Sequence, residues 1–186
     1  MGVLDVLGKP LAPNDEKMIW ENRKEDFLTN LIARESGWVI DQGGGTRFGI
    51  SERAHGKDTI IWNLGPEGAK KIYRKEYLHR GEERFGRTPE ALKFMDMEVN
   101  MGYENAMGVA QNALNLLLEP EDQINVDRGY GDITKKAIRK VQNNYSSQDI
   151  VNAFKKAQLI YYKGLPDFKN TGGWITRSEY DPIKED

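Results

Sequence analysis

The chain has no cysteine and only two histidines. Without cysteine there is no disulfide, no thiol nucleophile and no thiolate metal site, and compartment redox state is left open. His55 and His79 show no ligand spacing on one helix face, which argues against a metallopeptidase. A Ser-His-Asp hydrolase is disfavoured because the nucleophile-elbow pattern is missing. No stretch is apolar over the roughly 18 residues that a spanning helix needs, so stable membrane insertion is not expected. An excess of positive charge is lacking too: 27 Lys and Arg stand against 29 Asp and Glu. General nucleic-acid binding usually shows a basic surplus, so no nucleic-acid partner is expected. Near the N-terminus, Val3, Leu4, Val6, Leu7 and Leu11 are interrupted by Asp5 and Lys9. That segment has no basic start followed by an apolar core and does not read as a signal peptide.

What is present fits a globular protein with a sizeable core, as one domain or two small lobes. Its 186 residues are 38% hydrophobic and 30% charged. The pattern predicts a mainly α chain with one small β element. Residues 1–20 read as an irregular lead-in. A helix over 21–35 follows from Phe27, Leu28, Leu31 and Ile32 at helical spacing, with Gly37 beyond its end. Trp38-Val39-Ile40 and Thr46 to Ile50 read as two short strands around a glycine-rich turn. Pro66 and Pro89 suit the first turn of two further helices. The first carries Ala69, Ile72, Tyr73 and Tyr77; the second carries Leu92, Met95 and Val99 and closes at Gly102. Helices are also expected over 104–118, 133–142 and, behind a Ser146–Asp149 capping box, up to about Lys163. Gly164, Pro166 and Gly172-Gly173 suggest a loop, and the acidic end from Glu179 a frayed tail.

The segment Glu35 to Ile50 concentrates the chemistry. Glu35 extends the apolar stripe of its helix and stands at the C-terminal end, where the helix dipole disfavours negative charge. Both surroundings favour a carboxyl that keeps its proton, as a general acid requires. Asp41, Gly43-Gly44-Gly45 and Thr46 follow. A second carboxylate, a hydroxyl and glycines that let a polymer approach the backbone are what a glycosidase needs. Taken singly, these residues read as a solvated helix end, a turn aspartate, a strand threonine and a flexible tip. The glycines are not a phosphate loop, because no Gly-Lys-Ser/Thr follows. Their joint occurrence after a helix favours a site. Trp38 and Trp174 are candidate sugar-stacking residues. Tyr73 and Tyr77 lie one turn apart and are candidates for lining a cleft, as core packing also allows. Asn100 suits an N-acetyl contact or a helix cap. Arg177 suits a carboxylate partner or an anchor for the chain end. The basic run from Lys70 to Arg87 reads first as a solvated helix face.

Glu35-Ser-Gly-Trp38 and Asp41-Gln-Gly-Gly-Gly-Thr46-Arg-Phe-Gly-Ile-Ser51 resemble the signature of glycoside hydrolase family 108, phage and bacterial N-acetylmuramidases whose pattern reads E-G-G-Y and then D-P-G-G-A-T-x-x-G-I-T. Ala69-Lys-Lys-Ile-Tyr73-Arg-Lys-Glu-Tyr77 is similar to the family's A-x-x-I-Y-x-x-x-Y helix. Asp96-Met-Glu-Val-Asn100-Met-Gly102 is similar to its F-D-x-A-V-N-x-G segment. Ala110-Gln111-Asn-Ala-Leu114 and Val126-Asp127-Arg-Gly-Tyr-Gly131-Asp-Ile-Thr134 resemble a peptidoglycan-binding half, L-Q-x-A-L then V-D-G-x-x-G-x-x-T. Gly173-Trp174-Ile-Thr-Arg177 resembles a terminal G-W-x-x-R. The likeness covers roughly residues 25–180, with five motifs in order. Two departures stand out: Ser36 replaces a glycine, and the link from Glu35 to the turn is about three residues shorter. By its following residues Asp41 matches the turn aspartate, whereas by its distance from Glu35 it fits an earlier one.

The resemblance implies an α+β lysozyme-like fold, a helical bundle with a small β-hairpin at the active site. It implies a muramidase region over 21–95, a helical peptidoglycan-binding region over 96–180 packed on it, and a flexible tail over 181–186. The implied activity is hydrolysis of the β-1,4 bond between N-acetylmuramic acid and N-acetylglucosamine. By analogy with phage-type lysozymes, Glu35 is the proton donor, and Asp41 with Thr46 aligns water. Trp38, Gly44, Tyr73, Tyr77, Asn100, Trp174 and Arg177 are the expected substrate contacts. No metal or other cofactor is expected. The glycan strands of peptidoglycan are the expected partner, together with a holin-type release partner. The chain is expected to be made in a host cytoplasm and to act on the cell wall or as a virion component. A lytic transglycosylase and a non-catalytic wall-binding or virion module are the alternatives.

Overall fold

The computed structural model describes residues 13–35, 37–41, 44–55, 63–166, 168 and 172–184. The chain is mainly α with one small antiparallel sheet, the lysozyme-like class expected. It divides into two compact units, Gly2–His79 and Arg80–Asp186. A single uninterrupted helix, Pro89–Met101, runs through the position of the boundary expected at 95/96.

In the unit Gly2–His79, helix α1 (Pro13–Arg34) begins well before residue 21. The irregular lead-in therefore does not reach residue 20. Trp20 is buried two helical turns before Phe27, so the apolar stripe starts earlier than its dense part. Phe27, Leu28, Leu31 and Ile32 are all buried, as their spacing predicts. The sheet follows, with β1 (Trp38–Asp41), β2 (Gly44–Arg47) and β3 (Ile50–Ser51) in that order. The segment expected as one strand over 46–50 is thus two strands. Phe48 and Gly49 break it, with φ of 52° and 72°. Two consecutive positive φ values between the paired residues Arg47 and Ile50 make the tight hairpin turn that suits sheet twist. Residues Glu52–His55 form the short α2. Pro66 opens α3 (Pro66–Tyr73), and a π-helical turn, Arg74–Leu78, continues from it. Ala69 and Tyr73 face the core.

The unit Arg80–Asp186 takes in most of α4 (His79–Phe85). It continues with α5 (Pro89–Met101) and α6 (Tyr103–Asn115), joined through the single residue Gly102 at φ 78°. Next come α7 (Asp132–Asn144), α8 (Ser147–Lys163) and α9 (Gly172–Glu179). Helix α8 packs on α5, α6 and α9, and Phe85 meets Phe154 edge-to-face and Phe94 at a tilt of 45°. The capping box is formed as expected: Ser146 accepts the Asp149 N–H, and Asp149 accepts the Ser146 N–H.

The end of the chain differs from expectation twice. Residues 172–179 form a helix where a glycine-led loop was expected. The tail described up to Lys184 is anchored and not frayed. Asp181 is buried and accepts from Gln148 at 2.9 Å and from Lys155 at 3.4 Å. Lys93, fully buried on α5, donates to the carbonyls of Arg177 at 3.1 Å and Ser178 at 3.3 Å.

Candidate active site

Helix α1 delivers Glu35 one residue past its last turn, where the Glu35 N–H still donates to the Leu31 carbonyl at 2.9 Å. The Glu35 side chain is half-buried. Its carboxyl lies over the β2–β3 turn. A methyl placed on Gly49 would stand 3.2 Å from Glu35 Oε2 and 2.6 Å from the hydroxyl of Tyr73. The acid and the phenol therefore converge on a point that only a glycine leaves empty. Gly49 is also the residue that takes up φ 72°. Tyr73 is 1% exposed, and its hydroxyl donates to the Phe48 carbonyl at 2.8 Å. That bond ties α3 to the turn below the acid and satisfies a phenol buried in the core. Tyr77, half-buried in the π-helical turn, has its ring centroid 5.4 Å from that of Tyr73.

The hairpin carries the other expected residues. Val39 pairs with Thr46 and Asp41 with Gly44. Side chains alternate along a strand, so positions 39, 41, 44 and 46 belong to one face of the hairpin. Thr46 is half-buried. The side chains of Trp38 and Asp41 lie outside the described residues, although their backbone forms β1.

Gly44 was expected to let a polymer approach its backbone. The structure places a carboxylate there instead. A Cβ on Gly44, at φ 105°, would meet Glu52 Oε2 at 2.5 Å. The same oxygen accepts the Gly45 N–H at 3.1 Å. Glu52 was not foreseen. It opens α2, so in sequence it resembles any acidic residue in a first helical turn.

Asn100, Trp174 and Arg177 belong to the unit Arg80–Asp186, where they gather on Tyr162. Asn100 Nδ2 donates to the Tyr162 hydroxyl, as does Gln158 Nε2 at 2.9 Å. Trp174 stacks on the Tyr162 ring at 5.5 Å with 19° between planes, so one of its faces is taken. Burial pushes the Tyr162 hydroxyl up, against the hydrogen bond from Gln158; Asp96 adds to the rise, and Arg177 opposes it. This cluster is an internal polar network as it stands.

The motif residues of the expected peptidoglycan-binding half are likewise engaged with one another. Gln111 is fully buried and donates to Asp127 Oδ1 at 2.7 Å, the Gly129 carbonyl at 3.1 Å and Thr134 Oγ1 at 3.1 Å. Its oxygen accepts the Arg128 N–H at 2.8 Å. The hydrogen bond from Gln111 and that from the Gly129 N–H hold the Asp127 carboxyl below its ordinary value. On the basic face, Lys70 pairs with Glu25 and Glu67, Arg74 with Glu25, and Arg80 with Glu98. Among the described residues no group of three or more His, Cys, Asp or Glu is arranged to hold a metal ion.

No curated protein matches the chain in sequence. Among solved structures, SagA of Brucella abortus is similar with a TM-score of 0.62 and 23% identity, over 85% of this chain and 90% of that one. At that identity the likeness concerns the fold. Residues 28–102 match the family model of Glycosyl hydrolase 108, a span that takes in Glu35, the whole sheet and the Tyr73–Tyr77 pair, and supports a glycoside hydrolase.

Proposed function

We propose that the protein is a peptidoglycan hydrolase of the N-acetylmuramidase type, with Glu35 as its general acid. One observation carries the reading. Within the segment that matches a glycosyl hydrolase model, a half-buried carboxyl is held above a left-handed glycine and beside a phenol hydroxyl fixed by its own hydrogen bond. An acid kept at a fixed place is what protonation of a glycosidic oxygen requires, because the proton must be delivered along the breaking bond. Glu35 protonates the leaving oxygen as an oxocarbenium-like state develops. Water, aligned by Asp41 and Thr46 on their shared hairpin face, attacks the anomeric carbon. The outcome is inversion, which would place the carboxyl groups about 6.5–9.5 Å apart. Tyr77 is proposed to flank the sugar, whereas Trp38, paired with Arg47 and so at a position of the opposite hairpin face, enters only through resemblance. Asn100, Trp174 and Arg177 enter only through resemblance, since their described contacts are internal. The glycan strands of the cell wall are the substrate, and a membrane-permeabilising partner gives access to them.

Glu35→Gln tests the assignment. The variant keeps the shape of the side chain and has no proton to give, so it should keep the fold and lose release of glycan fragments from purified sacculi. Full lytic activity would remove Glu35 from the mechanism. Mass spectrometry of the fragments made by the unaltered protein reads the reaction itself. Reducing-end muramic acid supports hydrolysis, whereas 1,6-anhydro ends would identify a lytic transglycosylase.

A further inference from the structure

We infer that Glu52 is a positioning residue for this site, acting through the Gly44–Gly45 corner of β2; the inference rests on the muramidase reading. The ladder between β2 and β3 holds only two pairs, Thr46 with Ser51 and Arg47 with Ile50. Gly45 is the next residue along β2, where β3 has ended and α2 has begun. Gly45 is buried, and a buried N–H without an acceptor is costly. Glu52 supplies the acceptor, with Oε2 3.1 Å from the Gly45 nitrogen. A charged acceptor makes the stronger kind of hydrogen bond to a backbone N–H.

The same oxygen fills the space beside Gly44, 2.5 Å from where a Cβ would stand. Glycine at 44 thus serves two ends: it adopts φ 105°, and it leaves room for the carboxylate. What this fixes is the corner that carries the expected catalytic residues. Gly44 is paired with Asp41, and Gly45 is followed by Thr46. The two-residue β3 cannot clamp this end of β2 by itself, since its ladder stops at Thr46. The reach of a glutamate from the first residue of α2 completes the clamp. One carboxylate oxygen thereby holds both Asp41's partner position and Thr46's neighbour.

Reach and charge are separable. Glu52→Gln keeps the reach and an accepting oxygen without the charge. Glu52→Asp keeps the charge and loses one methylene of reach, and Glu52→Ala loses both. The test is made on the isotopically labelled full chain, by amide exchange at Gly45 together with kcat and KM for glycan release from sacculi. In Glu52→Ala and Glu52→Asp, exchange at Gly45 should rise about tenfold or more, and kcat should fall roughly tenfold or more while KM stays within about twofold, as misplacement of catalytic groups predicts. Glu52→Gln should stay close to the unaltered protein in both readouts. Normal kcat in Glu52→Ala would overturn the inference. So would a Glu52→Gln variant as inactive as Glu52→Ala, because that result assigns the charge itself to the chemistry. Failure of the muramidase reading looks different: the unaltered protein would release no glycan, while Gly45 exchange would still respond to Glu52.

Discussion

The convergence of Glu35 and Tyr73 on Gly49 can be tested by a double-mutant cycle with Gly49→Ala and Tyr73→Phe. Gly49→Ala should act in two ways. A side chain at φ 72° costs about 1–2 kcal/mol in the left-handed region. Its methyl would also stand 2.6 Å from the Tyr73 hydroxyl, which must move and give up its bond to the Phe48 carbonyl; losing a buried bond of that kind costs about 1–3 kcal/mol. The expected loss is therefore roughly 2–5 kcal/mol. Tyr73→Phe removes the hydroxyl alone and should cost about 1–2 kcal/mol, because the carbonyl keeps no partner from that side. In the double variant the methyl meets no hydroxyl, and the lost bond is counted once. The two costs should therefore fall short of additivity by about 1–2 kcal/mol. Urea unfolding followed by circular dichroism measures all four corners. Additivity within about 0.5 kcal/mol would refute the shared contact. Activity supplies a second arm. The methyl would also lie 3.2 Å from Glu35 Oε2, so Gly49→Ala should lower kcat roughly 10- to 100-fold. Tyr73→Phe, which leaves the carboxyl in place, should lower it less. If Tyr73→Phe were the more damaging change, the phenol and not the placement of the acid would dominate.

Three further outcomes are expected. Gln111→Met removes a buried amide with four hydrogen bonds; since water replaces part of them at the exposed loop, the loss should be roughly 2–4 kcal/mol, a fall in Tm of about 4–16 °C for a chain of this size. The same change should let the Asp127 pKa rise toward its ordinary value, read by carbon-detected NMR titration, because the Gln111 bond is the largest cause of its depression. Asp181 sits below its ordinary value even though burial pushes it up, because Gln148, the Ile183 N–H and Lys155 together outweigh that push. A depressed carboxyl stabilises above its unfolded value of about 3.9, and that stability is lost as pH falls through the lower folded value. Over that window the protection of the C-terminal amides relative to their intrinsic exchange should fall, and in Asp181→Asn that protection should not change with pH there. Lys93→Met removes the donor to the carbonyls of Arg177 and Ser178 and the neighbour of buried Asp96. A loss of about 3 kcal/mol, with exchange rising in α9 first, is expected; uniform loss across the unit would refute the anchoring role.

How much of this was legible in the sequence depends on how local each cause is. The stripe of Phe27, Leu28, Leu31 and Ile32 and the Ser146–Asp149 capping box were readable, because each is set within a turn or two of chain. The prolines at 66 and 89 marked helix starts for the same reason. The split of the second strand was locally encoded too, but in an unexpected residue: Phe48 takes a positive φ that a phenylalanine seldom adopts. The π-helical turn over 74–78 widens a helix without changing which residues are apolar, so periodicity is silent about it. The anchored C-terminus was illegible because its causes are distant. Lys93 and Asp181 are buried by partners far away in sequence, and an isolated charged residue reads as solvated.

The candidate site divides along the same line. The half-burial of Glu35 was readable because helix periodicity fixes the direction of its side chain. Thr46 and Asp41 were readable as hairpin residues, and the register then assigns their positions to one face. What the glycines meant was not readable. A glycine next to a candidate catalytic segment admits two physical uses, open space for a ligand or space for another part of the chain, and sequence does not separate them. Gly44 shows the second use, with Glu52 filling the space, and Gly49 holds Tyr73 and Glu35 at the distance of a missing methyl. Internal bracing of this kind matters most where the strands themselves are short. The four pairs between β1 and β2 are a short ladder to hold Asp41 and Thr46 in register, and side chains from α2 and α3 supply what the strands lack. A variant that lengthens β1 without disturbing Glu52 should therefore tolerate Glu52→Ala better than the natural chain does. Equal sensitivity of kcat in both backgrounds would show that the brace serves something other than the short ladder.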